Sequence, residues 1–140
     1  MGKLRLIAIF LGCFLFACNV EEKIDEAFIT ISGKVTHENE PVSGALVLLV
    51  ENTKVEDGLS LSNGSVTNAS GIYKIIDVKA GKYYVLAVDD ANGNFEFDKD
   101  SDRLGFYGVD PNNLDLEPDL VTVSDEDIDN VDIISLYTLP

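Results

Sequence analysis

Residues 45–51 read Ala-Leu-Val-Leu-Leu-Val-Glu, an apolar run that follows Gly44 and ends in a polar stretch. Polar and apolar side chains do not alternate within it. Short uninterrupted runs of this kind are typical of strands that are covered on both faces. We therefore expect a β-strand here, with other parts of the chain packed above and below it.

The rest of the body has the same character. Six further segments alternate or run briefly apolar and then stop at Gly, Pro, Asn or Asp: 27–36, 65–67, 72–78, 83–89, 120–123 and 130–136. Between them, residues 52–64 form a polar loop in which Leu59 and Leu61 are expected to fold back onto the core. No stretch after residue 20 keeps a helical period beyond two turns. The pattern predicts an all-β fold, an antiparallel Greek-key sandwich of about seven strands.

Four short motifs follow one another between residues 31 and 88. They read Ile-Ser-Gly-Lys-Val (31–35), Pro-Val-Ser-Gly-Ala-Leu-Val (41–47), Thr-Asn-Ala-Ser-Gly-Ile-Tyr (67–73) and Gly-Lys-Tyr-Tyr-Val (81–85). In this order they resemble the carboxypeptidase regulatory-like domain, a transthyretin-type (prealbumin-like) sandwich whose architecture is also Ig-like. The resemblance covers roughly residues 28–90. It implies an accessory domain that aids folding or contacts a partner.

The glycines and tyrosines of these motifs have expected structural roles. Gly44, Gly71 and Gly81 are expected to supply positive φ at turns, where a Cβ atom would clash. Tyr73 and Tyr83 are expected to bury their rings at sheet ends while their hydroxyls bond locally.

Composition limits the function of the chain. Its 140 residues make one domain, and 46% are hydrophobic, so the charge does not indicate disorder. Ten Lys and Arg against 25 Asp and Glu give a net charge of −15, which excludes nucleic acid as a default partner. His37 is the single histidine and falls in an expected surface turn. Hydroxyisourate hydrolases and intradiol dioxygenases, which resemble this architecture, need more histidines, so we expect no enzyme. A small extracytoplasmic carbohydrate-active or other hydrolytic enzyme is the alternative.

The first twenty residues read as an export signal. Lys3 and Arg5 precede an apolar run over residues 6–17. At about 1.5 Å per residue this run spans roughly 18 Å, too little for a hydrocarbon core of about 30 Å. It is therefore predicted to be a signal peptide, residues 1–17. The sequence Leu15-Phe16-Ala17-Cys18 resembles a bacterial lipobox, which implies that Cys18 is acylated and becomes the mature N-terminus.

The predicted mature protein is a lipid-anchored domain in an export compartment. Residues 18–26 form a polar tether, and 27–140 form the β-sandwich domain. Because Cys13 leaves with the signal and Cys18 is acylated, no thiol is left for a disulfide or a thiolate metal site. Glu21-Glu22 is similar to the surface-export signals of some bacterial lipoproteins, with a solvated linker as the alternative. We expect the outer membrane or the cell surface, with an envelope protein or a glycan as a partner.

An acidic insertion, residues 89–108, carries the chemistry that the sequence offers. Fifteen acidic side chains and two basic ones lie between residues 89 and 132. An oxygen-bearing side chain stands at every second position from 90 to 102: Asp90, Asn92, Asn94, Glu96, Asp98, Asp100 and Asp102. On a curled loop such side chains converge on one hard cation, and Ca²⁺ takes six to eight oxygens. The segment begins like an EF-hand loop, but the motif's glycine is misplaced and Ser101 stands where its bidentate Glu belongs.

Two interpretations of the insertion stay open. It is a calcium loop, with a backbone carbonyl near Glu96 as a further ligand, or it is a solvated acidic loop with Phe95 and Phe97 turned inward as anchors. Two non-enzymatic functions are also open, an interaction module or a structural, calcium-buffering protein. An exposed apolar patch around Phe95, Phe97, Phe106 and Tyr107 would favour the interaction module.

Overall fold

The computed structural model describes residues 28–140. The predicted signal peptide 1–17, the lipidation site Cys18 and the tether 18–26 lie outside these residues. The described part contains nine β-strands and one 3₁₀ helix. They are β1 (Ile31–Lys34), β2 (Thr36–His37), β3 (Glu40–Pro41), β4 (Leu46–Val50), β5 (Ser65–Val66), β6 (Ile72–Ile75), β7 (Gly81–Asp89), β8 (Arg103–Phe106), the 3₁₀ helix Pro111–Asn113 and β9 (Val121–Val123). The predicted all-β class is confirmed, and within residues 28–140 no helix is long and apolar enough to cross a bilayer.

The strands pair antiparallel in three groups. The largest sheet has the order β5-β4-β7-β8, and β9 pairs with the first residues of the long strand β7. β1 pairs with β6, and β2 with β3. Glu38 and Asn39 both have positive φ at the tight turn between β2 and β3, which is the turn geometry that suits a two-residue hairpin.

Both faces of the central strands β4 and β7 are buried. On one face, Val47, Val85 and Ala87 pack with Ile31 of β1 and Tyr73 of β6. The opposite face holds a second cluster, which contains Leu46, Leu61, Leu86, Val88, Phe97, Leu104, Phe106 and Val109. The two-sided burial predicted for residues 45–51 is therefore confirmed. Leu61 is fully buried and Leu59 packs against the second cluster, as the sequence predicted.

The last predicted strand, 130–136, is not a regular strand. It runs parallel to β1 and its neighbour Val35, and its one bridge within residues 28–140 joins Ile133 to Val35, while Ile128, just before the segment, bridges Ile31. Backbone bonds from Val131 N to Ser32 O (3.0 Å) and from Ile133 N to Lys34 O (2.8 Å) hold it there.

Aspartate side chains explain why this pairing stays irregular. Asp127 Oδ1 accepts the N–H of Thr30 at 2.8 Å, and Asp132 Oδ1 accepts the N–H of Lys34 at 2.9 Å. Carboxylates thus take the donors of Lys34 in β1 and of Thr30 just before it, which a continuous ladder would use.

The turns and tyrosines agree with the sequence in most places. Gly44 and Gly71 have φ of 78° and 75°. The same prediction for Gly81 was wrong, because this residue begins β7 and does not have positive φ. Tyr73 is buried and its hydroxyl donates to Val131 O at 2.6 Å, whereas the half-buried Tyr83 donates to Lys79 O at 2.9 Å. Burial, followed by the charge of Asp132 and by Tyr107, raises the pKa of Tyr73.

The acidic insertion is shorter than predicted. β8 occupies residues 103–106, inside the range 89–108 that the sequence assigned to the loop. The irregular loop between β7 and β8 therefore comprises residues 90–102 and is called the acidic loop below.

Candidate metal site in the acidic loop

The two ends of the acidic loop are clamped together. Asp89 closes β7 and Arg103 opens β8, and the two residues are paired across the strands. The Arg103 guanidinium donates to Asp89 Oδ2 at 2.6 Å. Both side chains are partly exposed, so the ion pair adds little stability by itself. The pair holds the end of β7 beside the start of β8, and it thereby fixes the distance between the two ends of the acidic loop.

The middle of the loop is anchored to the core. Phe97 is fully buried in the second cluster. Its N–H donates to Leu59 O at 2.8 Å, its carbonyl accepts from Gly58 N at 2.7 Å, and Phe95 O accepts from Leu61 N at 2.8 Å. The acidic loop is thus paired antiparallel with a second loop, which carries the predicted core residue Leu61. The anchor role expected of Phe97 is confirmed, whereas the same expectation for Phe95 was wrong, because its side chain is exposed.

Asp102 ties the start of the loop to its end. This carboxylate is completely buried. Its Oδ1 accepts the N–H of Ala91 at 3.0 Å and the hydroxyl of Ser101 at 3.2 Å, and its Oδ2 accepts the N–H of Asp98 at 2.8 Å. Hydrogen bonds to an ionised acceptor are among the stronger ones in proteins. Asp102 therefore acts as a structural carboxylate beneath the loop.

Three of the seven predicted oxygen ligands are joined by side-chain hydrogen bonds, and a fourth, Asp90, bonds to the backbone of the same loop. Asp98 Oδ2 accepts the side-chain amides of Asn92 and Asn94, each at 2.8 Å. Asp90 accepts the N–H of Gly93 through Oδ1 and that of Phe95 through Oδ2, both at 2.9 Å.

The two asparagines also shape the backbone. Asn92 Oδ1 accepts the N–H of Asn94 at 3.1 Å, and Asn94 Oδ1 accepts the N–H of Glu96 at 3.0 Å. These successive side-chain turns coil the backbone around the oxygens. Each amide oxygen has a second lone pair beyond the one used in its turn.

The backbone N–H and C=O of Glu96 point away from the loop that pairs with the acidic loop. Glu96 and Ser60 form an antiparallel bridge, and the bonds on either side of it are made by Phe95 and Phe97. A residue between two such bonds directs its own N–H and C=O away from the partner strand. The Glu96 carbonyl therefore points away from the partner loop, as does its N–H, which donates to Asn94 Oδ1. This carbonyl is the predicted backbone ligand.

The other predicted ligands are placed differently. The Glu96 and Asp100 side chains form no hydrogen bond with any part of residues 28–140, and both residues are exposed. In that same part of the chain, no three His, Cys, Asp or Glu side chains come together as a metal-binding group. The loop instead joins one carboxylate, that of Asp98, to two amides, and places the Asp90 carboxylate on the backbone of the same turns.

Phe95 holds a conformation that the sequence did not reveal. It has φ of 61° and stands five residues after Asp90. That is the place where an EF-hand loop has glycine for its sharp turn. Phenylalanine rarely adopts this conformation, so nothing in its side chain signals the turn.

The four aromatic residues Phe95, Phe97, Phe106 and Tyr107 do not form an exposed apolar patch. Phe97 and Phe106 are buried, and Tyr107 is partly buried against the first cluster. Only Phe95 exposes a large share, 53%, of its surface. This surface therefore gives no support to an interaction site at the acidic loop.

His37 lies on β2 rather than in a turn. Its Nδ1 accepts the N–H of Leu136 at 3.2 Å. It borders a shallow depression of about 420 Å³ that also includes Glu40, Asp89 and Arg103. Because this nitrogen already holds the C-terminal segment, it is not free to act as the base that a serine nucleophile needs.

Comparison with known proteins yields no family assignment. No protein-family model matches this chain, and no curated protein matches it either.

Proposed function

We propose that this protein is a lipid-anchored accessory module of the bacterial cell envelope, at the outer membrane or cell surface, and that its acidic loop binds one Ca²⁺. Its body is a transthyretin-type β-sandwich of the carboxypeptidase regulatory-like kind. It serves binding or structural support and performs no catalysis. Its membrane partner is the bilayer that holds the acyl chains of Cys18, and its further partner is an envelope protein or glycan.

The sandwich is supported by the packing around β4. Side chains of β1 and β6 cover one face of the central sheet, and the motif residues Gly44, Gly71 and Tyr73 have the structural roles expected of them. The other face is covered by loops. One of these is the acidic loop, so the stability of the sandwich and the shape of the loop depend on each other.

Calcium binding is supported by one observation above the rest: Asn92 and Asn94 both bond to Asp98 Oδ2, and Asp90 bonds to the backbone of Gly93 and Phe95 in the same turns. Among residues 28–140, Asp98 Oδ1 accepts no hydrogen bond, so this oxygen is available to a cation. A hard cation takes the remaining lone pairs of these oxygens, together with the Glu96 carbonyl. Buried Asp102 and Phe97 hold the loop in place, which lowers the entropy lost on binding.

The density of acidic side chains in the acidic loop favours calcium binding over a loop that is only solvated. Five carboxylates and one lysine lie in residues 90–102. Repulsion among carboxylates at short range destabilises the folded state unless a counter-charge is present. A bound divalent cation removes the repulsion among the carboxylates that it binds.

Millimolar calcium is expected to raise the thermal stability of the protein. Extracellular calcium sites have dissociation constants of about 10⁻⁴–10⁻³ M, so about 5 mM calcium adds roughly 1–2 kcal/mol. This corresponds to a rise in Tm of roughly 4–8 °C, measured as melts in EDTA and in CaCl₂.

Three controls separate a site from charge screening. MgCl₂ at the same concentration should produce a clearly smaller shift. Asp90→Asn combined with Asp98→Asn should remove the calcium shift, whereas Asp100→Asn, outside that group of hydrogen-bonded residues, should keep it. Equal Tm shifts in the two salts, or a calcium-induced Tm shift that persists in the double variant, would mean that the acidic loop is a solvated segment without a calcium site.

Cys18→Ser is expected to release the protein from the membrane fraction or to leave it with its signal peptide uncleaved. Three acyl chains at about 0.8 kcal/mol per buried CH₂ make the anchor practically irreversible, so the wild-type protein should stay in the pellet. Fractionation and labelling with a palmitate analogue measure the two properties. Cys13→Ser is the matched control, because that thiol lies inside the predicted signal peptide. A Cys18→Ser protein that is cleaved and still membrane-bound would contradict the lipobox.

A further inference from the structure

An apolar groove lies away from the acidic loop, where the chain after β8 meets the C-terminal segment. It has a volume of about 360 Å³ and is lined by Val109, Pro111, Leu116 and Tyr137. Leu116 is 66% exposed, and Leu114 in the same loop is 87% exposed. Large aliphatic side chains exposed beside an apolar depression are a feature of binding surfaces.

The loop that borders the groove is rigid. Asp110 and Asp115 exchange backbone hydrogen bonds of 2.7 and 3.0 Å, which close the chain into a small ring. The Asp110 side chain accepts from Asn112 N at 3.0 Å and from the Asn113 amide. Leu114 then lies in the left-handed region, with φ of 59°. Asn or Gly fits that conformation far better than Leu. The loop therefore presents an apolar side chain to solvent in a strained conformation, which is typical of functional surfaces.

The sequence around the residues that line the groove is acidic. Asp110 adjoins Pro111, while Asp115 and Glu117 flank Leu116 in sequence. Residues 104–140 contain nine acidic side chains and no Lys or Arg. A second copy of this chain would bring the same charge to the contact, and an anionic lipid surface would be repelled too. Both occupants are therefore disfavoured.

We propose that this groove docks a segment of a partner protein in which a large apolar side chain is flanked by lysine or arginine. The apolar side chain fills the groove between Leu116 and Tyr137, and the flanking cations lie against Asp110, Asp115 and Glu117. Burial raises the pKa of Tyr137, so its hydroxyl stays protonated and adds no charge to the apolar wall. The proposal deepens the accessory function, because it names the chemistry of the partner. It rests on that function in one respect, the assumption that the partner is a protein.

The test uses the full-length protein in phosphatidylcholine nanodiscs. The probe is a fluorescent synthetic peptide with a central Leu-Phe pair between two lysine pairs, and its binding is followed by fluorescence anisotropy. Leu114→Asn with Leu116→Ser should weaken binding at least about tenfold, as expected when central apolar contacts are removed. The same variant should melt no lower than wild type, since asparagine relieves the strain at position 114. Ile76→Ser is the matched control, because Ile76 is 67% exposed and follows β6, outside the groove.

Each outcome supports or overturns the proposal. The proposal is supported if the lysine-flanked peptide binds and high salt weakens this binding. The variant Leu114→Asn with Leu116→Ser should lose the binding, and Ile76→Ser should keep it. Equal binding of a glutamate-flanked peptide, no binding of either peptide, or binding that survives the leucine variant overturns it. Hydrogen exchange that shows residues 109–117 protected by the nanodisc without peptide would assign the groove to lipid. Calcium melts and Cys18 fractionation do not involve this groove, so its failure is distinguishable from failure of the accessory function.

Discussion

Replacing Phe97 by alanine is expected to lower the free energy of unfolding by about 3–5 kcal/mol, the usual cost of truncating a fully buried aromatic ring. The ring lies in the second cluster among Leu61, Leu86 and Leu104. The backbone of the same residue bonds to Leu59 and Gly58. Loss of the ring therefore removes core packing and loosens the attachment of the acidic loop at once. We expect Tm to fall by roughly 10–15 °C in thermal melts, and the calcium-induced shift to shrink.

Phe95→Ala is the matched control for this variant. The two residues belong to the same loop and differ in burial, because Phe95 is 53% exposed. Its truncation should change stability by less than about 1 kcal/mol, as is usual for exposed positions. If the two variants destabilise equally, the burial of Phe97 is wrong, and with it the anchoring of the loop. If Phe97→Ala leaves the calcium shift at full size, the cation site does not depend on this anchor.

The part of the fold that could be predicted from sequence is the part in which side-chain pattern and burial agree. Residues 45–50 are all apolar, and β4 buries both faces. In the segment 130–136, the side-chain pattern predicts burial but not strand direction or pairing. Its apolar residues Val131, Ile133 and Leu136 are buried as its pattern implied. Its direction and pairing depend on aspartates that bond to β1, and the pattern of apolar residues contains no information about these bonds.

In the acidic loop, too, the sequence predicted some features of the structure and not others. Two-residue spacing identified Asn92, Asn94 and Asp98, whose side chains are joined by hydrogen bonds, and Asp90, which bonds to the backbone between them. The spacing also included Asp102, whose burial and three hydrogen bonds depend on closure of the loop. Spacing alone cannot distinguish a carboxylate that faces solvent from one that supports the backbone. β8 was missed for a related reason, since its short sequence Arg-Leu-Gly-Phe follows directly on the acidic run.

Gly33→Ala is expected to be the other strongly destabilising change. Gly33 lies in β1 opposite Tyr73, and the C-terminal segment passes directly over it. A Cβ atom here would lie 2.0 Å from Val131 O and 3.1 Å from the Tyr73 hydroxyl. The contact is with backbone, so no side-chain rotation relieves it. The segment must move away, and the buried bond from Tyr73 to Val131 O is lost with it. We expect a loss of about 3 kcal/mol or more, from overpacking and an unsatisfied buried carbonyl, measured by urea denaturation.

Gly44→Ala separates this clash from the ordinary conformational effect of removing a glycine. Gly44 has φ of 78°, yet nothing lies within 4 Å of the Cβ it would gain. Its substitution should cost only about 1–2 kcal/mol, the strain of a left-handed alanine. Hydrogen exchange adds a local readout, because the amides of Val131 and Ile133 bond to β1 and should lose protection in Gly33→Ala alone. Equal losses of stability in the two variants, with those amides still protected, would mean that the C-terminal segment does not lie against β1. The first core cluster would then lack the cover that Val131 and Ile133 give it.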